Sequence, residues 1–323
     1  MVMLIAVSHY FCYIKKISMS QLNKKMDEII AAWSSFINNG VFYIPVLGPV
    51  YTSGKSIKKL LFDVLKNSET DKFLSYDKNK RWLQKRGEKI ILSSIVYNNK
   101  EMYLPVKDGF RNILKIFRYS NDSPDNITIA TAKKICRKLK TTQEINGARF
   151  YFFKEPKINM DFVCHNIYFK KISSNDNFLE LPKEINNYNR LSNKIRLTFS
   201  RLEKEPGLES FSFLWKEFLN KNKVVNPIFC AVSKNKIIGA IGPIDVLKDV
   251  RGKLFLLPPY FGVIKKMRER GIGEKLWKTA MKSACKIGAQ YVLVQNIPDS
   301  SADWFYKKQG LSVAGKIYSC SLI

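Results

Sequence analysis

Two glycines behind four cations make the most chemically suggestive stretch of this sequence. Lys265, Lys266, Arg268 and Arg270 precede Gly271-Ile272-Gly273, where an apolar run ends and a helical pattern begins. Main-chain NH groups in the first turn of a helix lack intrahelical partners, and the helix dipole favours an anion there. Glycine lets a backbone approach a phosphate without Cβ contacts. The stretch therefore predicts a phosphate or pyrophosphate cradle at a helix start. A second stretch competes for that role, because Gly54-Lys55-Ser56 is the ending of an ATP-binding P-loop. Its spacing fails. A P-loop needs a glycine where Pro49 stands, Gly48 comes one residue too early, and proline removes an amide donor. An exposed loop that starts a helix at Ser56 accounts for it.

Other chemistries have little material. The six cysteines (Cys12, Cys136, Cys164, Cys230, Cys285, Cys320) show no metal-ligand spacing, and His9 and His165 are the only histidines. Cys164 and His165 adjoin, but neighbours on a strand point to opposite faces, so they form a poor nucleophile–base pair. No metal is expected, and free cysteines suit a reducing cytoplasm. The formal charge of +28 divides into +15 over residues 1–159 and +13 over residues 160–323. With no basic arm and no aromatic-basic motif, nucleic acid is not the favoured partner. The apolar opening of about a dozen residues is too short to span a bilayer, which needs roughly 20. Residues 1–18 read as an extension, and Met19 is a second candidate start.

The elements that must position the glycines follow from periodicity. At 323 residues the chain has room for two domains. The predicted division is 1–155, an α/β domain of unassigned type, and 156–323. In the first part, helices are expected at 20–37, 56–66, 110–119 and 128–140. Strands are expected at 41–47, 89–97 and 102–106. In the second, 162–172 reads as a strand, 186–193 as a loop or helix entry, and 191–203 and 210–220 as helical. Strands follow at 228–233 and 237–245. A long strand at 253–264 should kink at Pro258-Pro259. After the glycine turn come a helix at 273–286, a strand at 291–296, a helix at 300–309 and a terminal strand pair from Leu311.

Arg268, Gly271 and Gly273 match the Q/R-x-x-G-x-G/A motif, and Ala302, Phe305-Tyr306 and Gly310-Leu311 follow at a second motif's spacing. On these residues the chain from Asp161 onward resembles the GCN5-related N-acetyltransferase superfamily. The resemblance implies an α/β (α+β) fold: a mixed, mostly antiparallel sheet flanked by helices, preceded by an α/β domain that could be a degenerate copy. It implies acetyl-CoA as acyl donor, held by Val263, Lys265, Arg268, Arg270, Gly271, Ile272 and Gly273. Asn296 and Asp299, near the second motif's usual asparagine, are the further cofactor-binding residues it implies, and Asp299 is expected to cap the helix that follows. Tyr306 matches the family's proton donor to the leaving thiolate. The usual strand carboxylate is missing, so Asp245 is the nearest candidate base, with Tyr260 or a water as alternatives. The implied reaction is direct attack by a small-molecule or peptide amine. Two other outcomes stay open: a tandem aminoacyl- or acyl-transferring enzyme with a degenerate first domain, and a basic, nucleic-acid-associated CoA-binding module without catalysis.

Overall fold

The computed structural model describes residues 19–37, 40–52, 57–68, 88–109, 111–140, 145–157, 161–173, 182, 184–220, 226–249 and 252–322. The chain opens with α1 (Met19–Ser35), the hairpin β1 (Gly40–Ile44) and β2 (Gly48–Thr52), and α2 (Ile57–Ser68). Strands β3 (Glu88–Ile90), β4 (Val96–Tyr97), β5 (Glu101–Asp108) and β6 (Ile113–Ser120) follow. Helix α3 (Asn126–Lys140) then leads to β7 (Gly147–Phe152) and β8 (Val163–Lys171). The second half runs through β9 (Ile185–Asn187), α4 (Asn193–Arg196) and α5 (Ser210–Leu214), and a 3-10 segment (Leu197–Lys204) joins the two helices. Next come β10 (Phe229–Ser233), β11 (Lys236–Gly242), β12 (Val246–Lys248), β13 (Leu254–Leu256) and β14 (Tyr260–Val263). Helix α6 (Ile272–Lys286), β15 (Tyr291–Asn296), α7 (Ser301–Lys308) and β16 (Ser312–Ser321) end the described chain.

The strands form a mixed, mostly antiparallel architecture flanked by helices. One sheet runs β12-β13-β15-β8-β16-β7-β6-β5-β3, with β4 paired to β5, and a smaller one runs β14-β11-β10-β9. Alternation along β5 shows why the large sheet is covered on both sides. Met102, Leu104 and Val106 face a core completed by α1, α2 and the β1–β2 hairpin, whereas Tyr103 faces the core under α3. Under α6 a further core gathers Leu276, Trp277 and Ala280 with Val292 and Val294 of β15. The boundary expected at 155/156 falls between β7 and β8, and the sheet continues across it because β16 lies between those two strands.

Several expectations need correction. Residues 113–120 form strand β6, where a helix was expected over 110–119. As a central strand β6 is buried on both faces, with Leu114 and Ile116 in one core and Phe117 and Tyr119 in the other. Its two cations, Lys115 and Arg118, stand three apart as on one side of a helix, but both are buried in ion pairs, with Glu88 and Asp108 and with Glu101. The terminal strand pair is a single strand with an irregular register between Val313 and Gly315, and its partners β8 and β7 come from the middle of the chain. Residues 41–47 yield one hairpin arm, and the second arm is β2, so Gly48 and Pro49 of the P-loop look-alike lie in a strand. Gly54, Lys55 and Ser56 lie outside the described residues, as do residues 1–18. Within 186–193, the first residues pair as β9 with β10.

Candidate functional site

The strand expected over 253–264 is split, and the split makes the site. Its first part, β13, pairs in parallel with β15 only as far as Leu256 beside Val292. After Pro258-Pro259 the second part, β14, joins the other sheet and pairs with β11. Beyond Val292, β15 has no strand among the described residues on the side away from β8, so a slot opens between β14 and residues 293–296. Ile264 donates its NH to Ile238 O at 2.9 Å. Main-chain groups alternate in direction along a strand, so those of Phe261 and Val263 point away from β11 and into the slot. Behind it, a Cβ on Gly262 would fall 2.1 Å from Leu208 Cδ2, so that leucine side chain would have to move.

The glycine loop lies at the slot's open end. Arg268 donates Nε to Val263 O at 3.0 Å, so the motif arginine secures the end of β14. Lys265 and Arg270 are exposed beside it. Gly271 is the N-cap residue of α6 at φ 73°, a left-handed conformation, and no side chain caps the helix. The first bond of the helix runs from Lys275 NH to Gly271 O at 3.1 Å, which leaves the amides of Ile272 and Gly273 open to an anion. A Cβ on Gly271 would meet nothing, so this glycine serves the backbone conformation and not clearance. On Gly273 a Cβ would rest 3.6 Å from Phe261 and Phe305, an ordinary contact.

The first half repeats this order with the opposite outcome. Strand β6, α3 and β7 parallel β14, α6 and β15, but β6 pairs with the whole of β7, from Ile113 beside Gly147 to Arg118 beside Phe152. Asp125 also fills the start of α3, accepting from Thr128 NH at 2.8 Å and Thr128 Oγ1 at 2.7 Å. Among the described residues the first half therefore shows no slot between these strands, and a side chain caps the start of α3.

Helix α7 closes one side of the slot. Phe305 packs on Phe261 of β14 with ring centroids 5.1 Å apart. Tyr306 lies between Trp277 of α6, at 5.4 Å, and Tyr168 of β8, at 6.0 Å. Desolvation pushes the Tyr306 phenol up to about 12. Asp245 is buried at the apex, where its carbonyl accepts from Leu257 NH at 2.9 Å and its Oδ1 from Val246 NH at 2.9 Å. Burial also raises Tyr260 to about 12, so that phenol is a poor base near neutral pH. Asn296 ends β15 with both side-chain polar atoms buried and without a hydrogen-bond partner. Asp299 does not cap α7: it is left-handed at φ 58°, and the extended Ser300 accepts from Asp303 NH instead.

Sequence reasoning missed Asp303, whose signal was a carboxylate on the inward face of an amphipathic helix. Fully buried, it accepts from the Tyr168 hydroxyl and from Asn166 Nδ2 at 3.4 Å, and pairs with Lys307 at 2.6 Å. Burial alone would raise its pKa. The Lys307 ammonium, the Tyr168 hydroxyl and further donors outweigh that and hold it at about 2, below its ordinary 3.8. A lowered carboxylate pKa contributes stability that is full above the unfolded value and is lost as pH falls through the folded one. The melting-temperature gap between wild type and Asp303→Asn should thus be widest above pH 4 and close towards pH 2. A gap independent of pH would show that the charge of Asp303 is immaterial.

This architecture is similar to that of GCN5-related N-acetyltransferases. One such structure, from Sphaerobacter thermophilus, is 14% identical over 69% of this chain and 76% of that one, with a TM-score of 0.44. Another, from Kribbella flavida, is 10% identical over 70% of this chain and 88% of that one, with a TM-score of 0.45. A tandem GNAT protein from the clavulanic acid biosynthesis pathway is 9% identical over 69% and 79%, with a TM-score of 0.43. No family model and no curated protein matches the chain. Among the described residues no cluster of metal-ligating side chains occurs, and no helix is long and apolar enough to cross a membrane.

Proposed function

We propose that the protein is an acyl-CoA-dependent N-acyltransferase that moves an acetyl group from acetyl-CoA to a primary amine of a small molecule or peptide. The carrying observation is the slot between β14 and β15, lined by the main-chain groups of Phe261 and Val263 that face away from β11 and ending at the uncapped glycine start of α6. The residues fit the donor. The amides of Ile272 and Gly273, with Lys265 and Arg270, suit the pyrophosphate. The Phe261 main chain, the Val263 NH and the partnerless amide of Asn296 suit the amide-bearing arm. Acetyl-CoA supplies the thioester carbonyl that the amine attacks.

The chain's own groups then manage two protons. Asp245 is the candidate acceptor of the ammonium proton, since it is the carboxylate buried at the slot's apex. Tyr306 keeps its proton at neutral pH and can deliver it to the leaving thiolate. Trp277 and Phe305 shield that transfer from water. A second reading, a tandem enzyme with a degenerate first copy, is supported by the β6–α3–β7 repeat with its closed strand pair. The evenly spread positive charge supports no nucleic-acid interface in particular.

Thiol release over a panel of amines tests the activity, and calorimetry with acetyl-CoA tests the loop. Gly271→Val places a β-branched residue in a left-handed conformation costing about 1–2 kcal/mol, and should weaken binding by about tenfold or more. Gly273→Ala adds an ordinary contact and should bind within about threefold of wild type. Undiminished binding by Gly271→Val would remove the pyrophosphate assignment. Binding without thiol release from any amine would leave a non-catalytic CoA-binding module.

A further inference from the structure

A cavity of about 160 Å³ lies at the carboxyl ends of the parallel strands β6 and β7. Crevices outside the carboxyl ends of parallel strands are where α/β sheets commonly take ligands. The walls are aromatic: Phe36 from the end of α1, Phe42 and Tyr43 of β1, Tyr119 of β6 and Phe153 after β7. Two contacts set this wall. Tyr119 donates its hydroxyl to Tyr43 O at 2.8 Å, and its ring lies 4.9 Å from that of Phe153. At the rim stand Lys154 and Lys316, both exposed, and neither side chain has an ion pair or hydrogen bond among the described residues.

The cavity does not belong to the slot. Ile167 of β8 lines it, while the next residue, Tyr168, points through the opposite face to Asp303 and Tyr306. Nor is it a phosphate cradle of the α6 kind, because Asp125 already fills the start of α3. Size narrows the occupant. An apolar cavity of about 150 Å³ accommodates benzene, so this one has room for one ring. The two lysines that line it match a small anion attached to that ring.

We propose that this cavity is a second ligand site, for a single aromatic ring carrying a carboxylate or similar anionic group. The sheet separates it from the slot, so its ligand and acetyl-CoA bind at the same time. Isothermal titration of the full chain with benzoate, phenyl phosphate, benzamide and acetate tests the assignment. Benzoate or phenyl phosphate should saturate one site, and which binds tighter identifies the anion. Benzamide should bind about tenfold more weakly than the better anion, and acetate not measurably. Lys154→Ala with Lys316→Ala, two exposed positions, should cost about tenfold or more. Asn121→Trp, an exposed residue lining the cavity, should block it. Saturating coenzyme A should leave anion binding unchanged. The proposal falls if neither ring anion binds saturably, if the double lysine variant binds as wild type does, or if coenzyme A displaces the ligand.

Discussion

Tyr306→Phe is expected to lower kcat by about 10²-fold or more while acetyl-CoA affinity stays within about twofold. The lower bound is the typical contribution of a positioned proton donor. Structure adds the reason why binding and folding should be spared. The Tyr306 hydroxyl has no hydrogen bond among the described residues, so its removal orphans no partner. The ring keeps its packing against Trp277 and Tyr168. Because desolvation holds the phenol up to about 12, Tyr306 should impose no limb on the pH–rate profile near neutrality. A limb there belongs to the amine or to the base. Rapid-mixing single-turnover kinetics, with calorimetry for affinity, provide the check. An unchanged kcat would remove Tyr306 from the mechanism.

Asn296→Leu is expected to move stability and binding in opposite directions. Both polar atoms of the Asn296 amide are buried without a partner, and each such atom costs about 1–3 kcal/mol. Leucine has a similar branched shape and brings no polar atom. The ligand-free variant should therefore melt several degrees higher, taking about 2–4 °C per kcal/mol. Acetyl-CoA affinity should fall by about tenfold, as for one lost hydrogen bond in a dry site. Thermal denaturation with and without acetyl-CoA reads both effects. A variant that melts lower would mean Asn296 is bonded in the free protein. Asn166, its register partner on β8, is the residue placed to do that. The assignment of this amide to the acyl donor would then fail.

Local pattern made much of the second half legible. Residues 291–296 emerged as a strand with the expected bounds, and α6 and α7 within a residue of theirs. These elements carry strong periodicity, and glycine or Ser/Asp punctuation marks their ends. The Pro258-Pro259 kink was also readable, because proline cannot donate to a ladder. What the kink does was not. That β13 pairs with β15 while β14 leaves for another sheet depends on partners far away in the chain. The inward carboxylate of Asp303 needed Tyr168 and Asn166, more than 130 residues earlier, to make sense. In the first half, β6 deceived the periodicity because a strand buried on both faces has no polar alternation.

The sequence by itself determined where an anion could sit. The left-handed turn at Gly271 and the uncapped amides behind it are local properties of a few adjacent residues. The same holds for rejection of the P-loop look-alike, which rests on Pro49 and one misplaced glycine. Only the tertiary structure decided that an open slot leads to that turn, that the matching unit of the first half is closed, and that β16 ties the halves into one sheet. The physical reason is range. Helix starts and turns depend on neighbours in sequence, whereas strand partners and buried charges depend on long-range packing that no short window contains.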